Sequence, residues 1–336
     1  MAETLRIATW NADLTRRGPG LLLQDLRREN MPQIEAFMAV LRELDADILL
    51  LTGVDYDTRQ LALAALVDRL AAAGLSYPYH YARPPNAGLP TGLDLDRNGR
   101  LNQARDAMGY GRFQGQGGMA LLSRLPIVTD AAQDYTDFLW ADLPGALLPP
   151  DMTEVERAMQ RLSSVNHWQV PVRLPNGQNM AVMGYAATPP VFDGPEDRNG
   201  RRNHDESAFW LRLMEGALPY PPPAPPFVLL GDANLDPEDG DGRPGAILAL
   251  LQGAHVQDTA PRGSHGRAEP AHRGDPALDT ALFTNGAGGL RVDYVLPSTG
   301  LRVTDSGILW PAPGPMAETL AQASNHAPVW VEIDLP

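Results

Sequence analysis

The chain has 336 residues, 43% of them hydrophobic, enough to bury a large core as one big domain or as two ordinary ones. Its formal net charge of −14 repels a polyanion unless a local basic patch or a cation intervenes, so duplex DNA or RNA is a poor default partner. The absence of cysteine excludes disulfides, thiolate nucleophiles and cysteine-based zinc sites.

Glycine and proline, at 32 each, stay below what low-complexity disorder needs and predict long ordered loops. The run from Met1 to Ile7 enters a strand with no charged n-region or apolar h-region. As written it carries no export signal, so cytoplasmic residence is the expectation, with a periplasmic or secreted location the alternative for a trimmed sequence. No apolar run approaches a membrane span.

Residues 5–10 alternate as a strand and end at Asn11, and Arg16-Arg17-Gly18-Pro19-Gly20 then breaks the chain before a short helix. Ile34, Phe37, Met38, Leu41 and Leu44 recur at helical spacing, which predicts an amphipathic helix over Pro32–Leu44 whose stripe is core. A strand follows over residues 47–52, stopping at Gly53, and Asp55 and Asp57 stand where N-caps of a helix over residues 58–73 belong. Residues 77–81 form an aromatic strand.

Residues 83–118 are a long Gly/Pro/Asn-rich excursion. Within it Asp94, Asp96 and Asn98 alternate before Gly99, the first half of an EF-hand-type calcium loop. The twelfth position holds Arg105 where a bidentate glutamate belongs, with Asp106 just after. Calcium stapling the loop and an uncoordinated Asx-rich loop are the two readings. The glycines of residues 109–118 open no βαβ unit, so a dinucleotide site is excluded.

A strand follows from Met119, and Asn166-His167-Trp168 leads into another. Residues 227–230 are a buried strand that breaks at Gly231 into Asp232, Asn234 and Asp236 before Pro237. Alternation points Asp232 and Asn234 the same way. One offers the hard anionic oxygen Mg²⁺ prefers and the other an amide that can orient a phosphate or a water; an Asx-rich turn closing a strand is the alternative. A short helix is expected over residues 246–251.

Two later segments repeat the form of a strand running into polar residues: Arg291-Val292-Asp293 and the Ser324-Asn325-His326 turn. Together with Asn11, Asp232 and the long run from Thr188 through Asp193, Asp197, Arg201 and Asn203 to Glu206, these resemble the endonuclease/exonuclease/phosphatase superfamily over nearly the whole chain. The resemblance is to a bacterial branch with a like central stretch. It implies one α/β domain, residues 1–336, built as a four-layer α/β/β/α sandwich of two mixed sheets, with loop insertions near residues 83–118 and 188–206. It also implies a metal-dependent phosphoesterase site. Asp232 would hold Mg²⁺ or Mn²⁺ beside Asn11 and Asn234, and Asp293 would fix the tautomer of a catalytic His326. Arg201, Asn203, His204 and His167 are the phosphate-contact candidates, with a self-satisfied polar loop and a polar strand residue as their structural alternatives.

Three positions depart from the pattern. Gly53 stands where the family carries a metal-binding glutamate, Ala186 where it carries a phosphate-contacting histidine, and Asn325 where it carries an aspartate. Asp55, Asp57 or Asp193 could reach a cation in a rearranged site. These losses predict an inactive or phosphate-ester-binding homologue, with an active, rearranged Mg²⁺- or Mn²⁺-dependent phosphodiesterase or phosphomonoesterase as the alternative. A small phosphate ester or a phospholipid head group is the expected ligand. A Ser-His-Asp hydrolase is excluded because no G-x-S-x-G elbow is present.

Overall fold

The computed structural model describes residues 4–284 and 286–335. The run read for an export signal begins in residues 1–3, outside the described residues.

The chain opens with β1 (Thr4–Leu14), two helices α1 (Leu21–Arg27) and α2 (Pro32–Leu44), then β2 (Ile48–Val54) and α3 (Leu61–Ala72). Asp57 accepts from the backbone N–H groups of Leu61 and Ala62 and so caps α3. A short β3 (Tyr79–Tyr81) and the long excursion lead to β4 (Gly118–Ser123) and β5 (Gln133–Asp134). Next come α4 (Glu154–Met159), β6 (His167–Arg173), β7 (Asn179–Ala186), α5 (Arg198–Met214), β8 (Phe227–Asp232) and α6 (Gly245–Leu251). The last part holds the ribbon β9 (Ala281–Phe283) and β10 (Gly288–Leu290), then β11 (Asp293–Pro297), β12 (Val303–Ile308), α7 (Pro315–Ala323) and β13 (Val329–Asp334).

The strands form a six-stranded sheet ordered β12-β13-β1-β2-β4-β3 and a five-stranded sheet ordered β11-β8-β7-β6-β5. Both are mixed, since β1 pairs parallel with β2 and β7 parallel with β8 while the other neighbours run antiparallel. The sheets face each other through β1, β2 and β8, α2 packs with α7, and α5 with α6. Period-two alternation decides which layer each side chain joins. Val228 and Leu230 of β8 turn into the core between the sheets, whereas Phe227 and Leu229 meet Phe209, Trp210 and Ile247 of the outer helices. Gly184 of β7 faces Leu50 of β2 across the sandwich, and an added Cβ would lie 2.9 Å from Leu50 Cδ2.

Two expectations change. The polar stretch read as a loop over residues 188–206 becomes helix from Arg198 onward, because Arg202, Asn203, Asp205, Glu206 and Ser207 turn inward and find hydrogen-bond partners. Asn234 does not continue the β8 alternation: its φ of 47° puts it in the left-handed region, so it leaves the sheet after Asp232.

Candidate active site

The carboxyl end of β8 and the start of β11 place Asp232 and Asp293 opposite each other in register. His326 sits just before β13, its backbone carbonyl accepting from Trp10 Nε1 at 2.9 Å. Its Nδ1 lies 2.8 Å from Asp293 Oδ2, which also accepts from the Thr280 hydroxyl at 2.9 Å. Asn11 crosses from the other sheet and donates through Nδ2 to Asp232 Oδ2 at 2.9 Å, while the Asn234 backbone N–H donates to Asp232 Oδ1. The Asn234 side chain is turned to the Ala187 carbonyl. Four segments far apart in the chain thus meet where the two sheets end.

Electrostatics follow from burial. Burial, and next the Asp293 carboxylate, raise Asp232 to about 7, with His326, Asn11 and Asn234 pulling the other way. Burial works to lower His326, but the charge and hydrogen bond of Asp293 outweigh it and raise the imidazole to about 9. At neutral pH the ring is a cation held by Asp293, and it shares the pocket with a second carboxylate. Asp293 Oδ1 is buried without a partner among the described residues.

The substituted positions lie around this cluster. Gly53 has φ 66°, and a Cβ built there would stand 2.4 Å from Asn11 Oδ1. Ala186 pairs in register with Asp232 and is buried. Asn325 is exposed, its carbonyl accepting from the Leu282 N–H. Sequence reasoning missed Asp13. The pairing of β1 with β2 slips between Asn11 and Leu14, so Ala12 and Asp13 together oppose Gly53 in a bulge, with Asp13 at φ 48°. Burial raises Asp13, and His326 and Arg16 lower it, so its carboxylate senses the cluster. Asp55, by contrast, is tied into its own loop by the N–H groups of Arg16 and Gly117, and burial raises it to about 6.

The phosphate-contact candidates are placed otherwise. His167 is buried in β6, stacked on Trp210, with Nδ1 on Ser163 Oγ and Nε2 on the Glu206 carbonyl; burial lowers it to about 4. Asn203 is buried and donates to the carbonyls of Thr188 and Ala233. Arg201 donates to the Glu196 carbonyl, and His204 Nδ1 contacts Asp205. Both ring nitrogens of His167 and the amide nitrogen of Asn203 are thus taken up by groups of the fold, while Asn203 Oδ1 is buried without a partner among the described residues. The missed centre here is Glu206, fully buried, which accepts from Ser164 N and Oγ and from Thr188 N. Burial raises it to about 7 against the pull of Arg202. Arg202 donates to the carbonyls of Arg161, Leu162 and Ser163.

A second acidic group lies in the excursion, where one oxygen each of Asp94, Asp96 and Asp106 come within 4.8 Å of one another. Asp94 accepts from the N–H groups of Asn98 and Gly99, as an Asx turn does. Asn98 directs its amide nitrogen to Asp96 and Gln103, and Asp106 adds a third carboxylate to Asp94 and Asp96.

Asp232, Asp293 and His326 also lie within 4.8 Å of one another. As a donor set for Mg²⁺ or Mn²⁺ they fall short. Each oxygen of Asp232 already accepts an N–H, one oxygen of Asp293 is held by His326 and Thr280, and the third member, an imidazole, brings no anionic oxygen. A hard divalent ion binds largely through anionic oxygens. Only the orphan Asp293 Oδ1 stands without a donor.

The Endonuclease/Exonuclease/phosphatase family model matches residues 8–326. No curated protein matches the sequence. Among solved structures, an endonuclease/exonuclease/phosphatase from Beutenbergia cavernae is 18% identical with a TM-score of 0.57, covering 99% of this chain and 72% of its own. Sphingomyelinase C from Streptomyces griseocarneus is 16% identical with a TM-score of 0.52, covering 98% and 99%. A humanized TDP2 of D. rerio is 14% identical with a TM-score of 0.53, covering 99% of both. At such identities the likeness is one of fold.

Proposed function

The chain belongs to the endonuclease/exonuclease/phosphatase family, and from that premise we propose that it is a phosphate-ester-binding member whose hydrolytic centre is curtailed at Gly53, Ala186 and Asn325. One observation carries the reading: Asn11 Oδ1 stands 2.4 Å from where a Cβ of residue 53 would be, on a backbone at φ 66°. A side chain at that position has to displace the Asn11 amide and take a left-handed backbone conformation, so the loss of the carboxylate is coupled to the place Asn11 now occupies.

What remains suits binding. The His326 imidazolium, oriented by Asp293, is a cation ready for a phosphate oxygen. Asn11 and Asn234 set the protonation and direction of Asp232. A methyl at Ala186 neither bonds a phosphate nor protonates a leaving group, and the Asn325 amide cannot act as a base toward water. Each loss removes roughly two to four powers of ten in rate, without simple additivity.

The test is Mn²⁺ and Mg²⁺ titration by calorimetry, beside turnover of a panel of phosphate mono- and diesters. The intact chain is compared with an Ala186→His, Asn325→Asp double variant and with a triple variant adding Gly53→Glu. Turnover at least about a hundredfold lower in the intact chain is expected relative to the best revertant. Equal activity overturns the reading.

A second reading, hydrolysis by a rearranged site, draws on Asp13. Its bulge delivers a carboxylate opposite Gly53, on the side where the glutamate is missing. Tight Mn²⁺ binding lost in Asp13→Asn favours it. For the loop of Asp94, Asp96 and Asp106 we propose a calcium staple, checked by a rise in melting temperature with CaCl₂ that Asp94→Asn removes. Net charge −14 keeps duplex nucleic acid disfavoured, and a small ester or phospholipid head group preferred. No helix among the described residues is long and apolar enough to cross a membrane.

A further inference from the structure

Next to the Asp232 cluster lies a cleft of about 970 Å³, which borders it through Ala187 and Thr188. The Ala187 N–H donates to the Asp232 carbonyl and its own carbonyl accepts from Asn234, so the cleft and the cluster share a wall. The cleft is built from the long excursion, the segment before β6 and the run leading into α5.

Two features of its lining are unexplained by folding. Phe192 is 75% exposed and has φ 71°, a conformation bulky side chains rarely adopt. It is held there because Asn199 binds both neighbours: its amide donates to the Val191 carbonyl and its N–H to the Asp193 carboxylate. A strained backbone that presents a phenyl ring to water is costly unless the ring meets something. Tyr110, 60% exposed, lines the same cleft.

The second feature is charge. Arg105 makes no hydrogen bond or ion pair among the described residues, and Arg198 hydrogen-bonds the neutral Gln160 amide, with the Glu156 and Glu196 carboxylates near it and no ion pair to either. Of the four acids of the lining, Asp151 pairs with Arg97, and Asp96, Asp193 and Glu196 accept from Asn98, the Asn199 N–H and the Gly194 N–H. On a chain of net charge −14, this is a place where an anion meets unpaired guanidinium groups.

We propose that this cleft recognises the organic portion of a nucleotide-like phosphate ester, with a flat ring against Phe192 and Tyr110 and an anionic group against Arg198 and Arg105. The assignment rests on the phosphate-ester reading above and adds the substrate class. The volume is of the size that encloses a small organic ligand. Stacking on an aromatic side chain discriminates a planar base from an aliphatic alcohol, and the guanidinium groups discriminate a charged ester from a nucleoside.

The experiment is calorimetric titration of the full chain with AMP, adenosine, phosphocholine and inorganic phosphate, repeated with Phe192→Ala and Arg198→Gln. Because Phe192 is exposed, its truncation leaves the core intact, and a thermal melt checks both variants. AMP is expected to bind at least about tenfold tighter than the other three probes. Phe192→Ala should weaken AMP by about fivefold to tenfold and leave inorganic phosphate unchanged. Arg198→Gln should weaken AMP and spare adenosine. If phosphocholine and inorganic phosphate bind as tightly as AMP, or if neither substitution moves AMP, the cleft assignment falls while the phosphate-ester reading stands. If nothing phosphorylated binds, both fall.

Discussion

Two buried polar clusters sit on either side of the Ala187–Thr188 wall, and they differ in how their acids are treated. Glu206 is enclosed by three donors from Ser164 and Thr188, with Arg202 nearby, and none of its oxygens is left over. Asp293, across the wall, leaves one buried oxygen without a partner, and Asp232 shares its pocket with a second carboxylate. A satisfied network fixes a helix to a sheet; an unsatisfied one is a place kept for something else. The first cluster is architecture and the second is chemistry, although each holds one carboxyl group, Glu206 or Asp232, raised to about 7.

The widest gap should appear in stability. Glu206→Gln puts an amide N–H against donors and removes the counter-charge of Arg202, so a loss of about 3 kcal/mol in urea denaturation is expected. Asp232→Asn also turns an amide N–H toward a donor, Asn11 or the Asn234 N–H, but relieves the repulsion with Asp293, so a smaller loss of about 1 kcal/mol is expected. Equal losses at the two positions would erase the distinction.

Gly53 sharpens the comparison from the backbone side. Gly53→Ala adds a Cβ against Asn11 at a left-handed φ and should cost about 2 kcal/mol. In an Asn11→Ala background the same change should cost about 1 kcal/mol less, since the clash is gone and only the backbone conformation remains. A cycle with no coupling would show that Asn11 does not occupy that space.

Smaller still are the pH effects. His326 has a folded pKa of about 9 against an ordinary 6.5, so its contribution is full below pH 6.5 and is lost as pH rises through 9. The denaturation midpoint should fall over that window and flatten in Asp293→Asn. In the other cluster, Glu206 loses its contribution as pH rises from about 4.5 to 7. His167, lowered to about 4, gains its contribution over the overlapping range from 4 to 6.5. Asp232, Asp55 and Asp279 are raised as well and add to the fall, so the intact chain should lose stability over that range and Glu206→Gln should make the fall shallower.

The framework was legible where periodicity speaks. The spacing of Ile34, Phe37, Met38, Leu41 and Leu44 marks α2, and the apolar run ending at Asp232 marks β8, because burial of a regular element imposes its period on the residues. The helix α5 was not legible, since its buried face carries Arg202, Asn203, Asp205 and Glu206, and their partners lie in distant segments that no local pattern reveals. The bulge carrying Asp13 was hidden for a related reason: a register slip depends on the neighbouring strand and leaves no trace in alternation. The meeting of Asn11, Asp232, Asp293 and His326 was approached through resemblance, and only coordinates give its hydrogen bonds.

The contact of Gly184 with Leu50 has a reach beyond its own position. Gly184 lies two residues before Ala186 on β7, and Leu50 lies two before Thr52 on β2, the partners of Asp232 and Asn11 respectively. The missing methyl at Gly184 therefore acts as a spacer of zero thickness: it lets the halves of the sandwich close enough for an asparagine of one to touch an aspartate of the other. A side chain inserted there would work like a shim, widening the mouth without altering any group that lines it.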